Sequence, residues 1–234
     1  MRQTHLHKTG GKFVPQLVTA PFIGVASSRN DRSLLAEADH RIANHLALLN
    51  AYVRLKAADM ARQTAEPSRA SMGLLLQGVG AQVRSISRLH RALAYDGSGA
   101  SADLGGFLQE ICASFTDGLS GSIKLEEKLA PGITVRPDQA LALGRIVSEV
   151  ITNAVKHGHG GDTILVHCGR DNIGAVLIEI DDDGPGLPEA FAPLTDGGLG
   201  FRLLRRLGEQ LGAAITFQST GAGLHFRLML PPGN

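Results

Sequence analysis

The chain has 234 residues, of which 43% are hydrophobic, 19% charged and 4% aromatic, and its 29 glycines and 10 prolines follow no fixed period. This composition indicates a folded globular protein and excludes collagen-like, fibrous and disordered chains. Lysine and arginine number 23 against 22 acidic residues. Nucleic acid is therefore not an expected partner, because binding it requires a concentrated basic excess.

The cysteines and the hydropathy suggest where the chain works. Cys112 and Cys168 are distant in sequence and form no CxxC pair, which favours neither a disulfide framework nor a zinc site and fits a reducing, cytoplasmic setting. No run of about twenty apolar residues is present, so we expect no membrane insertion. The uncharged stretch 13–28 contains Pro15 and Pro21 and matches a signal peptide poorly.

The chain begins with a basic lead, residues 1–30, which contains lysine and arginine but no acid. We interpret it as a flexible terminus, with a docking arm as the alternative. From Asp31 onward, apolar residues recur at helical spacing in two runs separated by Pro67: Leu35, Ala38, Ile42, Leu46, Leu49 and Val53, then Met72, Leu75, Val79, Val83, Ile86, Leu89 and Leu93. The pattern predicts an antiparallel helical hairpin over 31–98. Two copies of the chain would complete a four-helix bundle, although packing onto the rest of the chain is an alternative.

After Gly99 helical and strand patterns are mixed. We predict helices over 104–115, 138–157 and 199–211, and strands over 122–129, 133–136, 163–168, 175–181, 215–218 and 225–230. Pro137 stands at the expected start of the long helix. This order over 99–234 predicts a two-layer α/β sandwich.

Four polar groupings stand out along this framework, and the first surrounds a histidine of the hairpin. The motif reads Glu37-x-x-His40-Arg41-x-x-Asn44. His40 lies roughly 140° around the helix from Leu35, away from the apolar stripe. Such a histidine can offer a nitrogen nucleophile, with a carboxylate to orient the ring and an arginine to offset phosphate charge. A solvated helix face is the alternative interpretation.

The second grouping lies on the long predicted helix and consists of Glu149, Asn153, Lys156 and His157. These residues share one face of an otherwise apolar helix. An amide and a carboxylate oxygen suit Mg²⁺, and the two basic side chains could reach phosphates. The exposed side of an amphipathic helix is the alternative.

The third and fourth groupings are rich in glycine. A hydrophobic strand ends in three acids, Asp181, Asp182 and Asp183, and the second of them begins the pattern Asp182-x-Gly184-x-Gly186. Further along, Gly198-x-Gly200 opens an apolar helix. A carboxylate at a strand end can accept a hydrogen bond from an exocyclic amine, and amides at a helix start can bind phosphate. Ordinary turns could explain either glycine pattern alone.

Taken in order, these motifs resemble the N, G1 and G2 boxes of the ATPase fold shared by histidine kinases, gyrase, Hsp90 and MutL. The upstream hairpin narrows the resemblance to sensor histidine kinases, and the His40 motif is similar to the phosphoacceptor motif of the HisKA_2 subfamily. The resemblance covers residues 31–231. The chain has no tryptophan, which argues against the HWE subfamily.

The resemblance implies an α+β fold: a helical hairpin completing a dimeric four-helix bundle (31–98), followed by a two-layer α/β sandwich of the Bergerat ATPase type (99–234). It implies ATP and Mg²⁺ as cofactors. Asn153 would be the metal ligand and Glu149 would position the metal or act as a base. Asp182 would bind the adenine amine, and the glycines at 184, 186, 198 and 200 would shape the nucleotide pocket.

The resemblance also implies a function. The chain would autophosphorylate His40 from Mg²⁺–ATP as a homodimer and pass the phosphoryl group to an aspartate on a response regulator receiver domain. The segment between Gly186 and Gly198 is short and has no clear F box, and no sensor domain precedes the hairpin. We therefore expect a separate sensor protein as a partner. A non-catalytic histidine phosphotransfer or scaffold protein with a kinase-like fold is the alternative.

Overall fold

The structure is a computed structural model that describes residues 69–96, 101–116, 123–158 and 163–232, together with scattered positions between 43 and 61. The basic lead and the motif residues Glu37, His40, Arg41 and Asn44 lie outside the described residues. Among the residues described, every helix falls short of the length and apolarity that crossing a bilayer requires.

The described elements follow one another in mixed order. They are α1 (Arg69–Asp96), β1 (Ala102–Asp103), α2 (Leu104–Thr116), β2 (Lys124–Leu129), β3 (Thr134–Val135), α3 (Pro137–His157), β4 (Thr163–Arg170), β5 (Val176–Asp182), α4 (Pro193–Asp196), α5 (Leu199–Leu211), β6 (Ala214–Thr220) and β7 (Gly223–Leu230). Five strands form one sheet in the order β2-β4-β5-β7-β6. β2 is parallel to β4, and the other neighbours are antiparallel.

One face of this sheet is covered by helices. Alternate residues of the central strands, such as Val166, Ile178 and Phe226, are buried in the same core as residues of α2, α3 and α5. Successive side chains of a strand point to opposite faces, so this alternation commits one face to the core. The resulting helix layer on a mixed sheet confirms the predicted α+β fold.

α3 is the central helix of that layer. Pro137 occupies its first turn, and the Arg136 backbone N–H donates to Gln139 Oε1 at 3.0 Å, so the start of the helix is capped locally. Fourteen of its 21 residues are buried. The helix thus lies between the sheet and its neighbouring helices, and four of its polar residues are buried: Arg145, Ser148, Glu149 and Thr152.

α1 is the described helix of the predicted hairpin, and it packs on α2 and α3. Ile86 is buried against Leu141, with Leu49 and Phe107 beside them. On another side of α1 the large apolar side chains Met72, Leu76 and Val83 are exposed. Part of the predicted apolar stripe is therefore covered within the chain and part is not.

One predicted strand needs correction. The strand predicted over 133–136 is only β3, and it pairs with β1 in a separate two-stranded sheet. Pro137 begins a helix directly afterwards, and the Leu104 N–H donates to the Ile133 carbonyl at 2.8 Å, so this stretch closes the start of α2 instead of extending the main sheet. The two-residue strand β1 and the short helix α4 were not predicted.

Candidate functional site

A cavity of about 320 Å³ opens where α3, the end of β5 and the start of α5 meet. It is lined by Asn153, Ala154, His157, Gly158, Asp182, Pro185, Gly186, Leu187, Pro188, Phe191, Phe201 and Leu224. Concave, mostly apolar sites with a few polar groups are typical of ligand binding. The cavity brings together residues from two of the sequence groupings, which are about thirty positions apart in the chain.

The α3 residues approach the cavity at different depths. Glu149 is 1% exposed, Asn153 is half-buried and lines the cavity, and His157 lines it while remaining exposed. Spacing by four residues places these three side chains on one face of the helix. That face is not a solvated surface at Glu149, so the exposed-face alternative is wrong there. Lys156 is half-buried but does not line the cavity.

The three acids at the end of β5 have three different surroundings. Asp182 lines the cavity, and its Oδ1 accepts hydrogen bonds from the backbone amides of Gly184 (3.1 Å) and Leu224 (3.4 Å). Asp181 Oδ1 lies 2.5 Å from His225 Nδ1. Asp183 accepts from the backbone N–H of Thr163 at 2.9 Å. The structure therefore selects Asp182 as the carboxylate of the cavity.

The strand pattern explains the separation of Asp181 from Asp182. Asp181 shares the sheet face opposite the helices with Glu179, whose carboxylate lies 3.6 Å from Arg227 and 3.4 Å from His167. Acidic and basic side chains of neighbouring strands contact each other across this reverse face, and such cross-strand pairs are the usual stabilising contacts of an exposed sheet face. The neighbouring acid is thus part of the sheet surface and not of the cavity.

Two of the predicted glycines are required by close packing. Gly186 has φ +73°, and a side chain there would overlap Ser219 Oγ and the Thr220 carbonyl. A side chain at Gly200 would overlap the Glu149 carboxylate and approach the Asn153 amide, 3.6 Å away. The first turn of α5 therefore lies directly against the polar face of α3.

The other two glycines are placed differently. Gly184 supplies the amide that binds Asp182, and a side chain there would crowd the Gly158 backbone. Gly198 precedes α5 with φ −64°, and a side chain would meet nothing within 4 Å. Packing in this structure gives no reason for a glycine at 198.

Sequence reasoning missed several residues that shape the cavity. Phe191, Phe201 and Leu224 form much of its apolar lining. Gly223 has φ +142° and lies against the Asp182 carbonyl, so the turn between β6 and β7 packs directly against the end of β5. The Gly221-Ala-Gly223 sequence before a final strand was the available signal. No sequence signal marked Phe191 and Phe201 as cavity residues, because an isolated phenylalanine is equally compatible with any hydrophobic core.

The site also bears on metal binding. Within the described ranges, no three His, Cys, Asp or Glu side chains are grouped so that they could hold an ion. Mg²⁺ does not require such a cage, because it is commonly bound by one or two protein oxygens together with substrate phosphates. An Asn153 amide in the cavity, with the Glu149 carboxylate one helical turn earlier, fits that kind of site.

Comparison with known families gives two matches. Residues 37–118 match HisKA_2, described as histidine kinase. Residues 138–234 match HATPase_c, described as histidine kinase-, DNA gyrase B- and HSP90-like ATPase. The first match extends past the boundary predicted at residue 98, and that boundary stays a prediction.

Individual relatives agree with these families. The chain is 29% identical to blue-light-activated histidine kinase 2 of Erythrobacter litoralis over 213 residues, covering 84% of this chain and 56% of the relative. It is 32% identical to sensor histidine kinase GtrS of Pseudomonas aeruginosa over 108 residues, 41% of this chain and 22% of that protein. The chain therefore spans about half, or less, of the length of these curated relatives.

A solved structure extends the agreement to the fold. The histidine kinase domain of the Erythrobacter litoralis EL346 blue-light activated histidine kinase superposes with a TM-score of 0.62 at 27% identity, covering 86% of this chain and 94% of that domain. Both family matches, their order along the chain and this superposition show that the chain carries the catalytic core of a sensor histidine kinase.

Proposed function

We propose that this chain transfers the γ-phosphoryl group of Mg²⁺–ATP to His40 and then passes it to an aspartate of a separate response regulator. The observation that carries the proposal is the single cavity that unites Asn153 with Asp182, two groups suited to opposite ends of a nucleotide. The family matches supply the link between such a cavity and an upstream histidine.

The adenine end of the proposed site is Asp182. Its Oδ1 accepts the Gly184 and Leu224 amides, and these contacts fix the carboxylate at the cavity wall. A fixed carboxylate that accepts a hydrogen bond from an exocyclic amine favours adenine over guanine, because guanine presents a carbonyl at that position. Phe201 and Leu224 supply the apolar surroundings of the ring.

The phosphate end of the proposed site lies towards α3 and the start of α5. The Asn153 amide oxygen would hold Mg²⁺, with Glu149 positioning it or serving as a base. The metal, when bound, neutralises charge on the phosphates. Lys156 and the amides that open α5 would add positive potential, and His157 at the cavity edge could donate a hydrogen bond to a phosphate oxygen.

The acceptor side rests on the sequence motif. A nitrogen of His40 would attack the γ-phosphorus in line with the bond to the departing ADP oxygen, forming the N–P bond as the P–O bond breaks. Glu37 would orient the imidazole and take its proton, Arg41 would offset phosphoryl charge, and Asn44 completes the polar surface. The same phosphoryl group would then pass to the receiver carboxylate.

The decisive experiment is incubation with γ-labelled ATP and Mg²⁺. We expect label on the protein that is labile in acid and stable in base, as a phosphoramidate is. His40→Gln should abolish labelling, and His45→Gln serves as the matched control on the same predicted helix. Full labelling of the His40→Gln variant would refute the assignment of the acceptor.

The two ends of the nucleotide site can be tested separately by calorimetry. Asn153→Ala should weaken the dependence of ATP binding on Mg²⁺, because it removes an oxygen ligand. Asp182→Asn should reduce the preference for ATP over GTP, since an amide is a mismatched acceptor. Asp181→Asn is the matched control, because that carboxylate contacts His225 on the reverse face. If Asp181→Asn and Asp182→Asn behave alike, the assignment of the adenine end is wrong.

The second transfer is tested with a receiver domain. We propose that the receiver docks on the hairpin around Leu48, Tyr52 and Leu55, positions that lie outside the described residues. Leu48→Glu should slow transfer to the receiver and leave autophosphorylation intact. Loss of both steps together would make Leu48 part of the bundle core and contradict this docking model.

A homodimer completes the proposal. Exposed Met72, Leu76 and Val83 form an apolar strip on α1 that a second copy would cover. Reduced thiols and ATP are both characteristic of the cytoplasm, where we place the reaction. The alternative, a phosphotransfer or scaffold protein without kinase activity, predicts a chain that leaves ATP untouched yet accepts phosphate from another kinase.

A further inference from the structure

The main sheet has two edge strands, β2 and β6, and the two edges differ in charge. Both strands stand at the ends of the strand order, so within the described part of the chain each pairs with a neighbour on one side only. An edge strand presents unpaired backbone N–H and C=O groups to any other strand, and proteins normally guard it with charged side chains, proline or a bulge. The guards at each edge therefore indicate whether further pairing is disfavoured there.

The β2 edge is guarded by charge. Four of its six residues are charged: Lys124, Glu126, Glu127 and Lys128. Two copies of a strand that pair antiparallel around a two-fold axis perpendicular to the sheet place the residue at the axis opposite itself. With Glu126 or Glu127 at the axis, two glutamates would oppose each other, and like charges directly opposite destabilise a pair of strands. β2 is therefore protected against pairing with its own copy.

The β6 edge has none of these guards. Residues 210–224 include no charged residue, no histidine and no proline. All seven residues of β6 pair with β7 in unbroken register, so no bulge interrupts the strand. Thr216 and Gln218 are exposed, and the half-buried Phe217 ring lies on Phe226 with centroids 5.3 Å apart. β6 is thus a regular, uncharged edge that the core holds in place.

The sequence of β6 also suits pairing with a second copy of itself. Its middle residue is Phe217. Antiparallel pairing around that residue places Thr216 opposite Gln218 of the second copy, and Ile215 opposite Ser219. Side chains alternate along a strand, so each of these pairs lies on one face of the sheet. No charge opposes another, and both copies use the same surface, as a two-fold interface requires.

We propose that the outer edge of β6 pairs antiparallel with β6 of a second copy of the chain, around a two-fold axis at Phe217. The two sheets would then form one continuous sheet with both helix layers on the same side. This interface is separate from the apolar strip on α1. It rests on the sheet alone, so it does not depend on the proposed binding of ATP.

The first test measures association by analytical ultracentrifugation in the Leu76→Gln background, in which the strip on α1 is weakened. Thr216→Glu combined with Gln218→Glu should raise the dissociation constant about tenfold, because the two-fold axis creates two pairs of opposed carboxylates. Thr216→Glu combined with Gln218→Lys should bring the constant back to within about threefold of the parent chain, because each glutamate then faces a lysine.

Both double variants preserve the fold by the same logic. Residue 216 pairs with Arg227 of β7 in each of them, and no residue that faces the helices is changed. A thermal melt followed by circular dichroism verifies folding. Gln210→Glu adds a carboxylate at an exposed position of α5, outside β6, and should leave association unchanged. Equal association of the two double variants, or a Leu76→Gln chain that stays monomeric at every concentration, overturns the proposal.

The second test fixes the register by disulfide cross-linking. Thr216→Cys and Gln218→Cys are prepared as separate variants, and the native Cys112 and Cys168 are buried. Mild oxidation of the mixture should give a linked dimer, whereas each variant alone should give little, because pairing around Phe217 brings position 216 to position 218 and not to itself. Equal cross-linking with and without mixing overturns this register. A mixture that forms no linked dimer overturns the pairing and leaves the edge to a strand of a different protein.

Discussion

α1 and α3 have similar apolar patterns in sequence but very different surroundings. α3 has the sheet beneath it and α1, α2 and α5 around it, and fourteen of its 21 residues are buried. α1 buries Leu74, Ala81 and Ile86 but leaves Leu76 64% exposed. The comparison teaches that helical periodicity predicts an apolar face that is to be buried. Whether that face is buried within the chain depends on how many elements of the same chain pack around the helix.

The difference extends to polar residues. In α3 the layers close so completely that Glu149 is carried inside and lies against Gly200 of α5. A buried carboxylate is costly unless its surroundings compensate the charge, so such a residue is typically kept for chemistry or for specificity. In α1 the exposed side chains of the strip are apolar, and only the proposed second copy of the chain would remove them from water.

The largest effect is expected from a core residue of α3. Ile151 is fully buried, and Ile151→Ala should lower the free energy of unfolding by about 2–5 kcal/mol, because it removes buried methyl groups and leaves a cavity. Urea denaturation followed by circular dichroism measures this. Ile173→Ala, at an isoleucine that is 74% exposed, should stay within about 0.5 kcal/mol of wild type. Equal losses of stability in the two variants would contradict the difference in burial between Ile151 and Ile173.

The next effect concerns the strip on α1. Leu76→Gln should raise the dissociation constant of the proposed dimer about tenfold or more, because two copies of the leucine leave the interface. Analytical ultracentrifugation over a concentration series gives the constant. Arg84→Gln, at an exposed position off the strip, is the control. A wild-type chain that stays monomeric throughout would show that the strip has no partner in a second copy.

A smaller effect is expected where the two regions meet. Ile86 is buried against Leu141, so Ile86→Val should lower the free energy of unfolding by about 0.5–1.5 kcal/mol. The denaturation curve should keep a single transition if α1 and the sandwich unfold together. No change in stability would mean that α1 does not rest on α3 in solution.

The mildest test uses the two thiols of the core layer. Burial, with a smaller contribution from Glu127, raises the pKa of Cys112 to about 12, and burial raises that of Cys168 to about 11. A thiol in the unfolded chain ionises near pH 9, whereas both folded thiols stay protonated to higher pH. The free energy of unfolding should therefore be unaffected by these thiols below about pH 9 and should fall as the pH rises from about 9 towards 11 and 12. Iodoacetamide labelling at pH 8 to 9 should therefore be slow.

The same labelling distinguishes the two regions. Cys112 lies in α2 and Cys168 in β4, so modification requires the sandwich to open. Ile151→Ala should accelerate it and Leu76→Gln should not. Fast labelling of the wild-type chain would show that the core layer opens far more readily than its burial indicates.

Elements with strong local signals could be predicted well from the sequence. α5 was predicted at its observed bounds, because Gly198 precedes it and Gly212, with φ +65°, ends it. α3 was predicted one residue short of its start at Pro137. In contrast, β1 and the extent of β3 could not be predicted, since two-residue strands depend on a partner about thirty positions away. The phosphoacceptor motif stays a prediction, because its residues lie outside those described.

The sequence by itself determined the periods of the helices and strands, and the order of the motifs that indicate an ATPase site after a helical hairpin. These are local properties, fixed by spacing and by residue type. Only the tertiary structure decided that Asp182, and neither of its acidic neighbours, borders the cavity, that Glu149 is buried, and that Phe191 and Phe201 line the same cavity. The physical reason is that these facts depend on which face of the sheet receives the helices, and on contacts between residues that the chain brings together only when it packs.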